Sequence, residues 1–143
     1  MILSDRQIHD RIEIDEIINA ALTCHIAMVD GDRPYLLPMN FGYENGVLYL
    51  HSAPDGKKTD VLAKNANVCV CFDIDHEIKY RHEQVACSWS MRYRSVLMYG
   101  EVEFIEDFDE KIKVLNIVMR KYAGKDFTYN APAVRNVKVW KVI

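Results

Sequence analysis

The sequence lacks a long apolar run and has almost no excess of charge of one sign. Its 143 residues carry 18 Lys and Arg against 21 Asp and Glu, a formal net charge of −3. The chain as a whole therefore offers no electrostatic attraction for nucleic acid or an anionic membrane. Residues 17–29 have no Asp, Glu, Lys or Arg, but they fall short of the roughly 20 apolar residues that span a bilayer. We expect neither a nucleic-acid partner nor a membrane partner.

The chain has four cysteines, and residues 1–11 contain acids but no apolar core of a signal peptide. We therefore expect a cytoplasmic protein with reduced thiols. Cys69 and Cys71 are expected to be small buried side chains of one strand. Asp73 to His82 is a polar segment whose spacing matches no standard metal site, so we expect a solvated hairpin and no metal. Length and the absence of a linker predict a single domain, residues 1–143.

Glycine is also scarce, and no two of the six glycines are two positions apart. This removes the dinucleotide-binding fingerprint. The run Gly56-Lys57-Lys58-Thr59 is similar to the end of a P-loop, but His51 stands where that loop needs glycine. Lys58 stands where the P-loop needs Ser or Thr. No HExxH or GxSxG motif occurs, so zinc-protease and serine-hydrolase chemistry have no support in the sequence.

Hydrophobic periodicity predicts three helices and seven strands. Ser4 and Asp107 have the spacing of helix caps, and Asn45-Gly46 between alternating apolar residues predicts a hairpin. The predicted helices are Ser4–Leu22, Lys57–Lys64 and Asp107–Tyr122. The predicted strands are Cys24–Val29, Tyr35–Tyr43, Val47–Ala53, Val68–Ile74, Val85–Met91, Arg94–Ile105 and Val137–Ile143.

This order of elements is typical of a mostly β, α+β domain with flanking helices and not of a doubly wound parallel sheet. About six or seven antiparallel strands of such length can close into a small barrel.

The segment from His51 to Lys58 carries the most chemistry. A strand ends in the hydroxyl of Ser52, the chain turns at Pro54-Asp55-Gly56, and Lys57 and Lys58 open a helix. Free N–H groups at the helix start, two ammonium groups and a hydroxyl could together hold a phosphate dianion. A solvated turn with surface lysines explains the same residues equally well.

A second segment of interest has Pro38 inside an extended run and Asn40 among apolar neighbours. Proline cannot donate to a sheet, so Pro38 indicates an edge, a bulge or a ligand-facing stretch. Backbone groups along such a stretch could pair with a planar heterocycle. An ordinary edge strand is the alternative.

These segments follow one another at a recognisable spacing, and together they carry a family resemblance. They are Pro38-Met39-Asn40-Phe41-Gly42-Tyr43, Gly46 to Ala53, Gly56 to Leu62, Asn65-Ala66-Asn67-Val68, Tyr93 to Gly100 and Val139-Trp140. The chain resembles the pyridoxamine 5′-phosphate oxidase-like, FMN-binding split-barrel proteins. Within them it is most similar to the Nim-type proteins of 5-nitroimidazole resistance.

The resemblance implies a split β-barrel that binds FMN at the interface of a homodimer. It assigns the FMN phosphate to Ser52, Lys57 and Lys58, and the flavin ring to Pro38, Met39, Asn40 and Phe41. His51 would lie near the flavin, and Ser95 and Trp140 would contact it, often from the partner subunit. Family members often carry Arg where this chain has Lys57. A lysine cannot make the bidentate contact to phosphate that an arginine makes.

The expected function is that of an FMN-dependent oxidoreductase with a small-molecule electron acceptor, for which the resemblance suggests a nitroimidazole-type nitro compound. His51 could deliver a proton to it. The alternative is a non-catalytic flavin- or haem-binding protein of the same fold, with His25, His51 or Met39 as an axial haem ligand. Apart from that alternative, His25 is expected to be a hydrogen-bonded core residue. A third interpretation is an interaction module.

Overall fold

The computed structural model describes residues 6–143 and contains a seven-stranded antiparallel sheet with four helices, which confirms the predicted fold class. The strands are β1 Cys24–Asp30, β2 Arg33–Met39, β3 Gly42–Glu44, β4 Val47–Ser52, β5 Asn67–Lys79, β6 Ser90–Ile105 and β7 Lys138–Val142. The helices are α1 Arg11–Ala20, α2 Lys57–Lys64, α3 Phe108–Ala123 and α4 Ala131–Arg135. No helix within residues 6–143 is long and apolar enough to cross a membrane.

The strand order is β2-β1-β5-β6-β7-β4-β3. Strand β6 belongs to both halves of the sheet, because its first part pairs with β5 and its last four residues pair with β7. The two edge strands, β2 and β3, are consecutive in the chain and are joined only by Asn40 and Phe41. This short connection brings the two ends of the sheet close together, as in a split barrel.

The main core lies between the inner face of the sheet and α1. Alternation along β4 and β5 directs one set of side chains inward, and Ile17 and Ile18 of α1 pack against them. Phe41, Phe72 and Trp140 are the largest fully buried side chains of this core. A smaller cluster lies under α3 and is formed by Ile105, Val114, Leu115 and Val139.

Several predicted elements match the structure. Helix α2 has the predicted bounds. The β3–β4 hairpin turns at Asn45 and Gly46, whose φ angles of 53° and 79° suit the left-handed geometry of a tight hairpin. Asp107 caps α3 by accepting the Glu110 N–H at 3.0 Å. The predicted first helix begins later, at Arg11, with Asp10 as its cap. The predicted cap at Ser4 lies outside the described residues.

Two strand predictions were wrong. The run Tyr35–Tyr43 is divided between β2 and β3 by Asn40 and Phe41. The run Val85–Met91 contains a 3-10 turn over Ala86–Ser88, and β6 starts only at Ser90. Ser88 Oγ lies 2.7 Å from the carbonyl oxygens of both His82 and Val85 and shares its one hydroxyl hydrogen between them. Such local side-chain bonds compete with strand pairing.

The polar segment after Ile74 is mostly strand, because β5 runs on to Lys79 through a bulge. Asp75 in this bulge has a φ of 58° and accepts from Arg94. The sequence did not predict the short helix α4.

The expected burial of His25, Cys69 and Cys71 was wrong. His25 is exposed, and the two cysteines are half-buried. All three lie on the outer face of the sheet, where His25 pairs with Cys71 across β1 and β5. In each strand these residues alternate with residues that point into the core. Their exposure therefore follows from the two-residue period of the strand and not from how apolar the side chain is.

Candidate functional site

The lysine turn, which we define as residues 52–58, connects β4 to α2. Gly56 adopts a φ of 142°, a conformation that L side chains rarely take, and α2 follows it without a side-chain cap. The N–H groups of the first turn are therefore free for a ligand. Ser52 is buried and its Oγ donates to the Ala53 carbonyl at 3.1 Å. Thr59 Oγ1 donates back to the Gly56 carbonyl at 2.9 Å and closes the turn.

The two lysines of this turn have different surroundings. Lys57 Nζ lies 3.5 Å from the Asp30 carboxylate and 4.4 Å from the centre of the Tyr35 ring. Both charged groups are largely exposed, so solvent weakens this pair to about 1 kcal/mol or less. Lys58 is half-buried and close enough to His51 to act on its charge.

His51 is half-buried at the end of β4, next to the lysine turn. Burial lowers its pKa, and the nearby Lys58 ammonium lowers the pKa further, while a backbone hydrogen bond acts in the opposite direction. His51 is therefore neutral at neutral pH. It pairs with Val139 of β7 and points away from the face that buries Ser52. The two predicted site residues thus occupy opposite faces of β4.

The predicted ring-facing segment, Pro38 to Phe41, lies where the two edge strands meet. Pro38 belongs to edge strand β2, as a proline within a strand predicts. Pro38 and Asn40 are exposed, whereas Met39 and Phe41 are buried. Only the first pair can therefore offer side chains to a ligand, and Met39 and Phe41 can offer backbone groups.

The lysine turn contacts the hairpin that carries this segment. Lys57 contacts Asp30 of β1 and Tyr35 of β2, and Tyr35 precedes Pro38 by three residues, roughly 10 Å along a strand. Because an odd number of positions separates Tyr35 from Pro38, the two side chains point to opposite faces of β2. The structure therefore places Lys57 against the inner face of the β1–β2 hairpin and leaves Pro38 on its outer face.

Helix α3 holds Phe41 in a way that the sequence analysis missed. The Phe41 N–H donates to the Tyr122 hydroxyl at 3.1 Å, and that hydroxyl donates to the Leu22 carbonyl at 2.7 Å. Lys121 Nζ lies 4.5 Å from the centre of the Phe41 ring and donates to the Asn19 carbonyl at 2.7 Å. Phe41 and Tyr122 are 81 positions apart, and no motif or spacing in the sequence connects them.

The remaining two predicted contacts lie elsewhere. Ser95 is exposed on the outer face of β6, opposite Asp73 of β5. It borders a concavity with a volume of about 1030 Å³. The other lining residues of this concavity include Arg92, Tyr93, Arg94, Leu97 and Tyr99. No residue of the lysine turn lines this concavity.

Trp140, the other predicted flavin contact, lies in the core. It is 0% exposed in the main core, between Leu50 of β4 and Phe104 of β6. Its indole Nε1 has no hydrogen-bond partner among the described residues. Its place in the core accounts for an aromatic residue here, and a contact between Trp140 and the flavin stays a prediction. Within residues 6–143 no three His, Cys, Asp or Glu side chains are grouped closely enough to hold a metal ion.

The sequence and the fold of this chain are similar to those of known proteins. A family model described as pyridoxamine 5′-phosphate oxidase matches residues 10–142. A solved protein of Bacteroides thetaiotaomicron, whose name proposes a role in 5-nitroimidazole antibiotic resistance, is 50% identical with a TM-score of 0.86. The match covers 94% of this chain and 80% of that protein. No curated protein matches this chain.

More distant structures share the fold. The flavocytochrome Anf3 of Azotobacter vinelandii is 18% identical with a TM-score of 0.81, over 94% of this chain and 64% of that one. A protein of Mycobacterium smegmatis described as binding FAD and haem is 20% identical with a TM-score of 0.81, over 93% of this chain and 65% of that one. This chain thus spans less than two thirds of these two proteins.

Proposed function

Because the chain belongs to the pyridoxamine 5′-phosphate oxidase family, we propose that it binds FMN and acts as an FMN-dependent oxidoreductase that reduces a small acceptor. The observation that carries this proposal is the lysine turn, where free helix N–H groups, Lys57 and Lys58 lie next to a half-buried histidine. Bound FMN would supply the redox chemistry, and the protein would supply binding, orientation and protons.

The donor set of the turn fits a phosphate. The helix start has no side-chain cap, and the ammonium group of Lys58 has no carboxylate within ion-pair distance among the described residues. Lys57 has a weak pair with Asp30, which an incoming dianion could replace. Ser52 already uses its hydroxyl hydrogen on the Ala53 carbonyl, so it would have to rotate to donate to the ligand.

His51 is the residue that we propose to handle protons. It is neutral at neutral pH, because burial and Lys58 both lower its pKa. A neutral imidazole can relay a proton to an acceptor that gains electrons, because one ring nitrogen takes up a proton from water as the other releases its own. We propose a nitro compound of the 5-nitroimidazole type as that acceptor, reduced toward the amine at the expense of an external reductant. The name of the 50% identical relative supports this choice.

We also propose that two copies of the chain form a homodimer that shares the flavin sites. The outer face of the sheet supports this proposal, because Leu36, Leu97 and Tyr99 are each more than half exposed there. Ser95 lies on the same face and would contact the flavin of the partner subunit.

Haem binding without turnover is the second candidate, since two relatives of the same fold are named for a flavocytochrome and for haem binding. Of the three suggested axial ligands, His25 is exposed, His51 is half-buried and Met39 is buried. The absorption spectrum distinguishes the candidates, because haem gives a Soret band and flavin gives paired bands in the near-ultraviolet and blue.

The deciding experiment is the spectrum of the purified protein before and after incubation with FMN and desalting. Flavin bands are expected to survive desalting in the wild type. The double variant Lys57→Ala/Lys58→Ala should bind FMN about a hundredfold more weakly or worse, because it loses two charge-assisted contacts to phosphate.

A matched control is Lys64→Ala/Lys113→Ala, which removes the same charge from exposed positions on α2 and α3 and should retain the flavin. If the Lys57/Lys58 variant keeps its flavin, the assigned phosphate site is wrong. If the wild type retains no chromophore, the oxidoreductase proposal is abandoned and an interaction module becomes the better hypothesis.

A further inference from the structure

A single hydroxyl group joins three distant segments at the point where the sheet ends meet. The Tyr122 hydroxyl on α3 accepts from the Phe41 N–H at 3.1 Å and donates to the Leu22 carbonyl at 2.7 Å. It therefore ties the connection between β2 and β3 to the loop that follows α1. Burial raises the pKa of Tyr122, so the hydroxyl keeps the proton that it donates.

The connection is held on its other sides as well. The Phe41 ring packs edge-on against Phe72, with ring centres 5.1 Å apart. At Gly42, an added Cβ would lie 2.9 Å from Ile117 Cγ2 and 3.0 Å from the Val118 nitrogen, so the backbone rests directly on α3. Phe41 therefore has one position, and the conformation of the exposed Asn40 before it follows from that position.

This arrangement decides which groups of the segment can reach a ligand. Tyr122 engages the Phe41 N–H, and the Phe41 and Met39 side chains are buried. Asn40 is exposed and retains its side-chain amide and its backbone groups for a ligand. Without the Tyr122 hydroxyl, a buried Phe41 N–H would lack a partner and would turn toward solvent, and Asn40 would move with it.

We propose that Tyr122 is a positioning residue of the cofactor site, which holds Asn40 and its backbone toward the flavin ring. This assignment rests on the proposed binding of FMN. Tyr122 acts through the Phe41 backbone and does not itself touch the ligand.

The test is Tyr122→Phe, which removes the hydroxyl and keeps the ring. We expect FMN to bind about tenfold more weakly, as the loss of one structural hydrogen bond implies. At saturating FMN the reduction potential and the visible absorption bands of the bound flavin should shift, because the groups facing its ring are displaced. Amide hydrogen exchange at Phe41 should become faster in the protein without flavin.

Tyr129→Phe is the matched control, since its hydroxyl also bonds to α3, at Asn116 Oδ1 3.1 Å away. It should lower thermal stability to a similar degree and leave the flavin affinity and spectrum unchanged.

Wild-type affinity, potential and spectrum in Tyr122→Phe would overturn the positioning role while leaving the proposed function intact. A wild-type protein that takes up no FMN would overturn both. Unchanged exchange at Phe41 would show that the hydroxyl does not hold the segment.

Discussion

Three lysine side chains of this chain make different contacts, because their surroundings differ. Lys57 is exposed and shares its charge with Asp30. Lys58 is half-buried and acts on His51. Lys111 is 8% exposed, and its Nζ donates to the Val137 carbonyl at 3.0 Å. The lysines of the turn are the ones that we propose for an anion, whereas Lys111 of α3 donates to the carbonyls of Val134 in α4 and Val137 before β7.

At the residue scale, the protonation of His51 predicts how stability depends on pH. Its pKa in the folded protein lies below the unfolded value of about 6.5. The unfolded chain therefore binds the proton more readily, and stability rises with pH across this window. The stability associated with neutral His51 is complete above about pH 6.5 and is lost as the pH falls toward the lower folded pKa.

The measurement is the melting temperature of the wild type and of His51→Gln at pH 7.5 and pH 5.5, both without flavin. Glutamine keeps a polar side chain of similar reach but does not titrate. We expect the wild type to lose more stability than His51→Gln between the two pH values. Equal losses in the two proteins would show that His51 is as solvated in the folded protein as in the unfolded chain.

At the scale of elements, β6 is the strand on which the split barrel depends. Gly100 pairs with Val68 of β5, and Val102, two residues later, pairs with Val142 of β7. Between them, Glu101 and Ile143 exchange two backbone hydrogen bonds of 3.0 Å. Residues Val142 and Ile143 thus lie against β6 where that strand changes partners, and at position 100 a side chain would overlap them.

Gly100→Ala should destabilise the fold for this reason. The added Cβ would lie 2.5 Å from the Ile143 carbonyl oxygen and 2.8 Å from Val142 Cγ1. Relieving this overlap should cost about 1–3 kcal/mol of unfolding free energy. Urea denaturation measures the change, and Ser90→Ala at the exposed start of the same strand should change the stability by less than about 0.5 kcal/mol. A wild-type midpoint for Gly100→Ala would mean that β7 and the residue after it are free to shift.

The elements that could be predicted from the sequence are those with a local physical cause. Asn45 and Gly46 tolerate the positive φ angles of their turn, Asp107 caps a nearby N–H, and Gly124 ends α3 with a φ of 72°. The division of Tyr35–Tyr43 could not be predicted, because contacts with α3 cause the break at Phe41.

The candidate site follows the same rule. The lysine turn was predictable because strand end, turn and helix start are contiguous in the sequence. Tyr122 was not, since it reaches Phe41 only through the packing of α3 on β3. The core position of Trp140 also depends on its neighbours in β4 and β6, and an aromatic residue near the chain end fits a core and a flavin contact equally well.

At the scale of the whole molecule, the outer face of the sheet carries two neighbouring rows of mostly apolar side chains. One row runs across β2, β1, β5 and β6 through Leu36, Ala27, Cys69 and Tyr99. The next runs through Pro38, His25, Cys71 and Leu97. Leu36, Leu97 and Tyr99 are 60%, 57% and 74% exposed. A contiguous apolar patch of this kind marks an interaction surface, and a second copy of the chain is the partner that we propose for it.

Leu97→Asp tests this proposal, because in a two-fold dimer each substitution places two uncompensated carboxylates in one apolar interface. We expect the wild type to sediment as a dimer and Leu97→Asp to dissociate about a hundredfold more readily or worse. Phe108→Asp is the matched control, since Phe108 is 38% exposed on α3, which packs against β3, β4 and β7, and it should remain dimeric. If flavin sites are shared between subunits, Leu97→Asp should also lose FMN although its lysine turn is intact. A dimeric Leu97→Asp would place the interface elsewhere, and a monomeric wild type that retains FMN would show that one chain completes the site alone.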